Sequence, residues 1–411
     1  MARLTMLWTA LRRIDSRAVR TISAVILAIA LLSGEAVQAQ HYQVLHNFTG
    51  GNDGAIPRAT LLLDRAGNLY GTAGPVFKMS NTGSGWIFMP LFIFPGGYDG
   101  TGSSAALAFG PDGSLYGTAD GGDPQCADGE GDGCGIVFNL KPPPTRPASI
   151  YTPWKETVLH AFAGRPYDGE FPWTGSLIFD PAGNLYGTTE FGGNAGNWGT
   201  VFEMTASGGG WTESVIYNLG YGTNGPMSGV VMDGAGNLYG TTGDGWVAFE
   251  MSPSYGGWLF TQLHTFDGGS DGGLAYAGLV LDSKGNLFGT TILGGKYNSG
   301  LIYELSPSNG GWIYQDIYDL RGGGTFAPLT IDTEGNLYGA TSEGGGSDGA
   351  GMVFKLSPSS GGWTLTDLHD FTFQTEWFPD GGVTLDSQGN LYGTARSGGA
   401  YGWGVVWEIT P

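Results

Sequence analysis

The chain has 411 residues, 77 of them glycine, and carries 17 Lys and Arg against 37 Asp and Glu, a net charge of −20. This balance argues against nucleic acid as a partner, because binding to it relies on basic side chains that neutralise phosphates. The 13 Trp and 19 Tyr indicate a folded, turn-rich chain, and they are incompatible with a disordered or collagen-like one.

Residues 1–39 have the three parts of a secretory signal. Five arginines from Arg3 to Arg20 precede an apolar run at residues 22–32, and small residues that suit cleavage follow at residues 37–39. The apolar run is shorter than the about 20 residues that span a bilayer. We predict a cleaved signal peptide, with an uncleaved N-terminal anchor as the alternative. The mature chain is then secreted, extracellular or periplasmic, and without a transmembrane segment.

Seven copies of one segment fill residues 40–411. Each copy has an apolar run, the sequence Asp-x-x-Gly-Asn-Leu-Tyr-Gly-Thr or a close variant, and a short strand resembling Val-Phe-Glu. The copies centre on Gly67, Gly113, Gly183, Gly236, Gly285, Gly335 and Gly389. Spacings of 46 to 70 residues indicate one supersecondary unit repeated. A residue type shared by all copies is therefore expected to be architectural, and chemistry is expected where the copies differ.

The copy that begins at Gly278 shows the strands of one unit. Short strands are predicted at residues 279–282, 286–291, 301–305 and 312–320, separated by Gly, Pro, Asn and Ser clusters. Four strands in each of seven units predict an all-β fold, a seven-bladed β-propeller of four-stranded antiparallel blades in a single domain, residues 40–411. A ring protects the sheet edges that a linear stack would expose. The N-terminal strand is predicted to close the ring beside the C-terminal strand.

Two recurring slots have structural interpretations. A carboxylate before each Gly-Asn turn can accept the turn's backbone N–H groups. The second copy departs from this pattern, with Gly110 in the Asp slot and Ser114 in the Asn slot. Four of the five histidines share a Leu-His-x-Phe slot or a close variant of it: His46, His160, His264 and His369. Because a ring separates equivalent positions, we interpret these histidines as structural and not as a catalytic group.

The full pattern, clearest at residues 180–203, resembles the Gloeo/Verruco tandem repeat family of exported bacterial proteins. The resemblance extends over nearly all of residues 42–411. It implies export and a repeat architecture, and it brings no catalytic residues with it.

The loops after the second strand and the blade-to-blade crossings are predicted to share one face, called here the variable-loop face. Loops of variable composition on a rigid scaffold commonly carry binding. The crossings contain Asp-Gly pairs at Asp53, Asp99, Asp168 and Asp271. These carboxylates either surround the channel mouth and attract cations, or simply form turns. Trp173 and Trp198 are candidate sugar platforms, with burial between blades as the alternative.

One loop carries the only two cysteines, Cys126 and Cys134. In an oxidising compartment they are expected to form a local disulfide. Asp128, Glu130 and Asp132 have the alternating spacing of a calcium loop, but the bidentate Glu of a complete EF-hand loop is missing. Calcium is the one candidate cofactor, and a solvated acidic loop is the alternative.

The sequence contains no nucleophile elbow, phosphate-binding loop or His-Glu-x-x-His motif. We therefore predict a secreted, monomeric, non-catalytic binding or scaffold module that recognises carbohydrate or a cell-surface protein through the variable-loop face. One alternative is a propeller glycosidase or polysaccharide lyase with carboxylates at the central channel. Another is a structural envelope protein without a small-molecule ligand.

Overall fold

The computed structural model describes residues 40–124, 126, 133–143, 154–172, 175–194, 196–220, 225–243 and 246–411. Tyr42–Thr410 form one compact unit. The predicted signal peptide, residues 1–39, lies outside the described residues. Within the described ranges, the helical content is a single 3-10 turn at Gly97–Asp99, and no helix there is long and apolar enough to cross a membrane.

Seven four-stranded antiparallel sheets form the blades of a β-propeller, as predicted. The first strand of the chain, β1 (His41–Asn47), belongs to the last blade. Blade 1 contains β2 (Leu62–Leu63), β3 (Leu69–Thr72), β4 (Val76–Asn81) and β5 (Trp86–Phe92). Blade 2 contains β6 (Ala108–Phe109), β7 (Leu115–Ala119), β8 (Ile136–Lys141) and β9 (Lys155–Ala161).

Blade 3 carries a small extra ribbon formed by β10 (Gly169–Glu170) and β13 (Phe191–Gly192). Its four main strands are β11 (Ile178–Phe179), β12 (Leu185–Thr189), β14 (Thr200–Ser207) and β15 (Gly210–Asn218). Blade 4 contains β16 (Val231–Met232), β17 (Leu238–Thr241), β18 (Val247–Ser254) and β19 (Gly257–Thr265). Blade 5 contains β20 (Val280–Leu281), β21 (Leu287–Thr290), β22 (Leu301–Ser308) and β23 (Gly311–Asp319).

Blade 6 contains β24 (Thr330–Ile331), β25 (Leu337–Thr341), β26 (Met352–Ser359) and β27 (Gly362–Asp370). Blade 7 has a second ribbon, β28 (Glu376–Trp377) with β31 (Ser397–Gly398). Its main strands are β29 (Thr384–Leu385), β30 (Leu391–Ala395) and β32 (Val405–Thr410), with β1 paired to β32 at the outer edge. The N- and C-terminal strands therefore close the ring together, as the sequence predicts.

The turn between the first two strands of a blade is fixed by its aspartate. In blade 1, Asp64 accepts hydrogen bonds from the backbone N–H of Ala66 at 2.9 Å and of Asn68 at 2.8 Å, and from the Asn68 amide at 2.7 Å. Gly67 in the turn has φ of +81°, which favours glycine. In blade 2, where glycine replaces this aspartate, Asp112 instead accepts hydrogen bonds from its own turn, and the turn persists.

The core lies between neighbouring blades and not in one central cluster. Each third strand contributes a fully buried aromatic ring to it: Phe77, Phe138, Phe202, Phe249, Tyr303, Phe354 and Trp407. These rings lie against the glycine of the second strand. A Cβ on Gly71 would stand 2.6 Å from Cζ of Phe77, so only glycine fits there. Packing of this kind explains the recurring Leu-Tyr-Gly-Thr sequence.

Threonine hydroxyls join successive blades near the channel. Thr72 donates to the Ala105 carbonyl at 2.9 Å, and Thr188 donates to the Ser228 carbonyl at 2.7 Å. On the outer strands, each opening tryptophan packs edge-on against the second-strand tyrosine or phenylalanine of the preceding blade, as Trp312 does with Tyr239 (ring centroids 5.7 Å apart). The slots shared by all copies are thus used to hold blades together.

Candidate functional site

The channel between the innermost strands opens into a cavity of about 590 Å³. Its walls are apolar because the residue before each inner strand is large and aliphatic, as with Leu61, Leu107 and Leu279. The cavity lies toward the variable-loop face, since its lining residues sit where the blade crossings enter the inner strands. This volume falls within the usual range of small-molecule pockets, about 300–1,000 Å³.

One position of the repeat forms the mouth of the cavity. It lies three residues before the aliphatic residue that precedes each inner strand, as Arg58 does before Leu61. Six of the seven occupants line the cavity, and no two are alike: Arg58, Ser104, Met227, Tyr276, Phe326 and Asp380. The seventh equivalent position, Thr174, lies outside the described residues. The slot therefore gathers, at one place, side chains that differ in every copy.

Tight backbone turns place three of these mouth residues. The residue two positions earlier is bulky yet has positive φ: Ile56 at 53°, Leu274 at 55° and Phe378 at 58°. Such values are genuine outliers for bulky side chains, and they persist only where the surroundings enforce them. The backbone N–H groups of Tyr276 and Asp380 each donate back to the carbonyl two residues earlier, at 2.9 Å. The backbone that carries these three mouth residues is thus held by tight turns.

The charged side of the mouth consists of Arg58, Asp380 and Arg396. Arg396 follows β30, and its Nε lies 2.7 Å from Oδ2 of Asp380, while its guanidinium stacks on Phe378 at 4.4 Å. Burial raises the pKa of Asp380, an effect that the nearby Arg396 opposes. Arg58 is exposed and makes no ion pair with any residue in the described ranges. Arg58 also opposes the rise in the pKa of Asp380, whereas Glu343, just outside the cavity lining, adds to it, so the lining itself carries two arginines and one carboxylate.

The aromatic side of the mouth consists of Tyr276 and Phe326. Their ring centroids are 6.4 Å apart with planes tilted by 30°, and Phe326 is 49% exposed. An exposed aromatic side chain and an exposed guanidinium that line one cavity provide a flat apolar contact and a donor fork for an anionic group.

Three of the predicted Asp-Gly aspartates bind histidines instead of lining the channel. Oδ2 of Asp53 lies 3.1 Å from Nε2 of His46, and Asp271 and His264 form the same pair at 3.0 Å. Asp168 pairs with His160, also at 3.0 Å. Each of these three crossing loops is therefore fixed to the outer strand that precedes it, and the three histidines lie in different blades.

The fourth aspartate, Asp99, faces a different neighbour. It is exposed at the end of the 3-10 turn, and the strand before it carries Phe92 in the histidine slot. Burial, with repulsion from Asp99, raises the pKa of Glu156 in the next blade to about 7. None of the four aspartates is among the cavity-lining residues.

The remaining predicted residues have mixed outcomes. Cys126 and Cys134 form the predicted disulfide, with Cα atoms 5.9 Å apart. Trp198 is half-buried in the loop after β13 and does not line the cavity. Trp173 and the candidate calcium ligands Asp128, Glu130 and Asp132 lie outside the described residues, so those assignments stay predictions.

A comparison with protein-family models identifies the family of the chain. Residues 73–248, 125–348 and 245–411 match the Gloeobacter/Verrucomicrobia repeat model. The chain belongs to this family. The predicted resemblance is thereby confirmed. No curated protein matches the sequence of this Gloeobacter/Verrucomicrobia repeat protein.

Solved structures resemble this Gloeobacter/Verrucomicrobia repeat protein in fold alone. Virginiamycin B lyase from Staphylococcus aureus is 14% identical with a TM-score of 0.52, and the match covers 90% of this chain and 99% of the lyase. PorZ, a bacterial surface component of the type-IX secretion system of Porphyromonas gingivalis, is 13% identical with a TM-score of 0.50, covering 89% of this chain and 48% of PorZ. A gluconolactonase from Xanthomonas campestris is 11% identical with a TM-score of 0.43, covering 92% and 93%.

The mouth residues of this Gloeobacter/Verrucomicrobia repeat protein were not among the predicted site residues. A usable signal was nevertheless present, because the position three residues before the inner-strand aliphatic residue differs in every described copy. Arg396 gives a second signal. It directly follows β30, at the repeat position that Gly74 occupies in blade 1 and Ser342 in blade 6.

Proposed function

We propose that the protein is an exported, non-catalytic binding module that holds an acidic carbohydrate at the mouth of its propeller channel. The observation that carries this proposal is the convergence of unlike side chains, from separate blades, on a single cavity of about 590 Å³. Family membership and the disulfide between Cys126 and Cys134 support export, because disulfides persist in oxidising compartments.

The charge of the mouth supports an anionic ligand. The chain as a whole has a net charge of −20, which repels anions over most of its surface. Arg58 and Arg396 nevertheless both line the cavity, where Asp380 is the one lining carboxylate in the described ranges and Glu343 lies nearby. A guanidinium binds a carboxylate through two parallel hydrogen bonds, so Arg58 suits the carboxylate of a uronic acid.

The rings that line the same cavity as the arginines support a sugar as the ligand. The C–H face of a pyranose packs on an aromatic face, and Phe326 offers one at the entrance. The apolar walls below the mouth accept the ligand's less polar edge.

The glycosidase alternative requires two carboxylates, about 5–5.5 Å apart for retention or 6.5–9.5 Å apart for inversion. Among the described residues that line the cavity, Asp380 is the single carboxylate, and it is paired with Arg396. This arrangement favours binding over hydrolysis.

Calorimetry with uronic-acid and neutral oligosaccharides, chosen by a glycan array, tests the proposal. We expect only the acidic oligosaccharides to bind, and Phe326→Ala and Arg58→Ala to weaken binding roughly tenfold each. Tyr255→Ala and Arg65→Ala are matched controls, because both residues are exposed in turns at the opposite face. These controls should bind like the wild type.

Two results would contradict the proposal. Binding that is lost in Trp198→Ala but kept in Phe326→Ala would move the site from the channel to the surrounding loops. Cleaved products, detected by mass spectrometry after incubation with the bound oligosaccharide, would instead support the glycosidase or lyase alternative.

A further inference from the structure

The histidine–aspartate pairs on the outer strands have a second partner in the next blade. An aromatic ring stacks on the imidazole in two of them, with Phe88 centred 3.9 Å from His46 and Tyr314 centred 4.1 Å from His264. Each ring lies two residues after the tryptophan that opens its strand. At His160 the equivalent residue is Glu213, two residues after Trp211. This junction therefore has a carboxylate where the other two have a hydrocarbon face.

His160, Asp168 and Glu213 form a compact group of three side chains of the types that ligate metal ions. One ligand atom from each lies within 4.8 Å of the other two. Asp168 is held in place by backbone N–H groups, from Ala163 to Oδ2 at 2.8 Å and from Gly169 to Oδ1 at 2.7 Å. Oε1 of Glu213 is buried and has no hydrogen-bond partner in the part of the chain that the structure describes. A buried, unsatisfied carboxylate oxygen is costly unless something binds it.

We propose that His160, Asp168 and Glu213 bind a first-row divalent cation, with Zn²⁺ as the reference ion. An imidazole and two carboxylates match the ligand preferences of Zn²⁺, which binds His nitrogen and carboxylate oxygen at about 2.0–2.2 Å. A small inward movement of Glu213 would bring the three atoms to tetrahedral spacing and leave the fourth position to water. The ion would bridge blades 2 and 3, since His160 lies on β9 of blade 2 and Glu213 lies on β15 of blade 3. Asp168 belongs to the crossing that joins the two blades.

A neighbouring junction shows why the histidine matters. Glu156 in blade 2 occupies the same slot as Glu213 and faces Asp99, but the histidine slot there holds Phe92. That junction has two carboxylates and no nitrogen ligand. Among the junctions in the described ranges, the three-ligand group therefore arises only where a histidine of one blade faces a glutamate of the next.

Calorimetric titration of the untagged, chelator-treated protein with ZnCl₂ tests this site. We expect one Zn²⁺ bound per chain, and a weakening of at least about 100-fold in Glu213→Phe, which restores the ring found at the other junctions. Glu213→Gln keeps the shape of the side chain and should weaken binding as well, so it serves if the phenylalanine variant does not fold.

Two controls separate this site from other ligands. Asp271→Asn removes the same pairing at a junction without a glutamate and should leave Zn²⁺ affinity unchanged, whereas Asp168→Asn should reduce it. Binding should also survive replacement of Asp128, Glu130 and Asp132 by their amides. Unchanged Zn²⁺ affinity in Glu213→Gln, or a wild type that binds no Zn²⁺ at micromolar concentrations, would overturn the proposal.

Discussion

Replacing Glu156 by Gln should make the protein more stable at pH 8 and change its stability little at pH 5. Burial, with repulsion from Asp99, raises the pKa of Glu156 from 4.5 to about 7 in the folded state. The folded carboxyl is therefore protonated over a pH range in which the unfolded one is ionised. As pH rises from 4.5 through 7, the folded state binds more protons than the unfolded state, and the free energy of unfolding falls.

The pKa change sets the size of this effect. A pKa that rises from 4.5 to about 7 corresponds to at most about 3.4 kcal/mol at 1.36 kcal/mol per unit. Glu156 is only partly buried, so solvent screens much of the repulsion, and we expect about 1–2 kcal/mol. Glutamine has the same shape and no charge, so its variant should lack this loss above pH 7.

Urea denaturation between pH 5 and pH 8 measures the difference between wild type and variant. Other titrating groups are common to both proteins and cancel in the comparison. Asp348→Asn, which removes an exposed carboxylate, is the matched control and should follow the wild type. Parallel pH profiles for the wild type and Glu156→Gln, or a variant less stable at pH 8, would refute the reasoning.

Three further predictions concern stability, each measured by urea denaturation at pH 7. Tyr303→Phe should stabilise the protein by about 1 kcal/mol, because the buried Tyr303 hydroxyl has no hydrogen-bond partner among the described residues; a destabilised variant would indicate a missed partner. Cys126→Ser with Cys134→Ser should cost about 2–3 kcal/mol, and a reductant should lower wild-type stability but not that of the double variant. Asp332→Ala should cost about 1–3 kcal/mol, because the turn loses the hydrogen bonds from the Asn336 N–H and amide; a neutral result would show that the turn glycine alone suffices.

The fold could be predicted because the residues that form each turn and strand recur in seven copies of the repeat. A single Asp-x-x-Gly-Asn turn is a weak signal, but seven related copies at similar spacing fix the blade count and the order of strands within a blade. The closure by β1 and β32 followed from the same phasing. Blade 7 has β32 as its third strand, and the N-terminal strand β1 supplies its fourth.

The site could not be predicted in the same way, because its neighbours come from different copies. Arg58 and Asp380 are separated by most of the chain, and only closure of the ring brings them to one cavity. The Asp-Gly aspartates were expected at the channel mouth or in turns, and those in the described crossings do not line the cavity. The motif predicts a turn in the crossing loop. It does not say how far from the channel that turn lies, and in the structure Asp53 pairs with His46 and not with a channel residue.

Departures from the repeat fall into two physical classes, and the difference bears on function. Some are compensated nearby. Asp112 replaces the missing turn carboxylate at Gly110, and where Ala340 lacks the blade-joining hydroxyl, Thr330 donates to the next blade instead. Such pairs preserve architecture and need no ligand. Glu156 and Glu213 each leave a buried Oε1 without a hydrogen-bond partner among the described residues, and of the two only Glu213 stands beside both a histidine and an aspartate. Uncompensated departures are therefore the positions at which a repeat protein of this kind should be tested for ligands first.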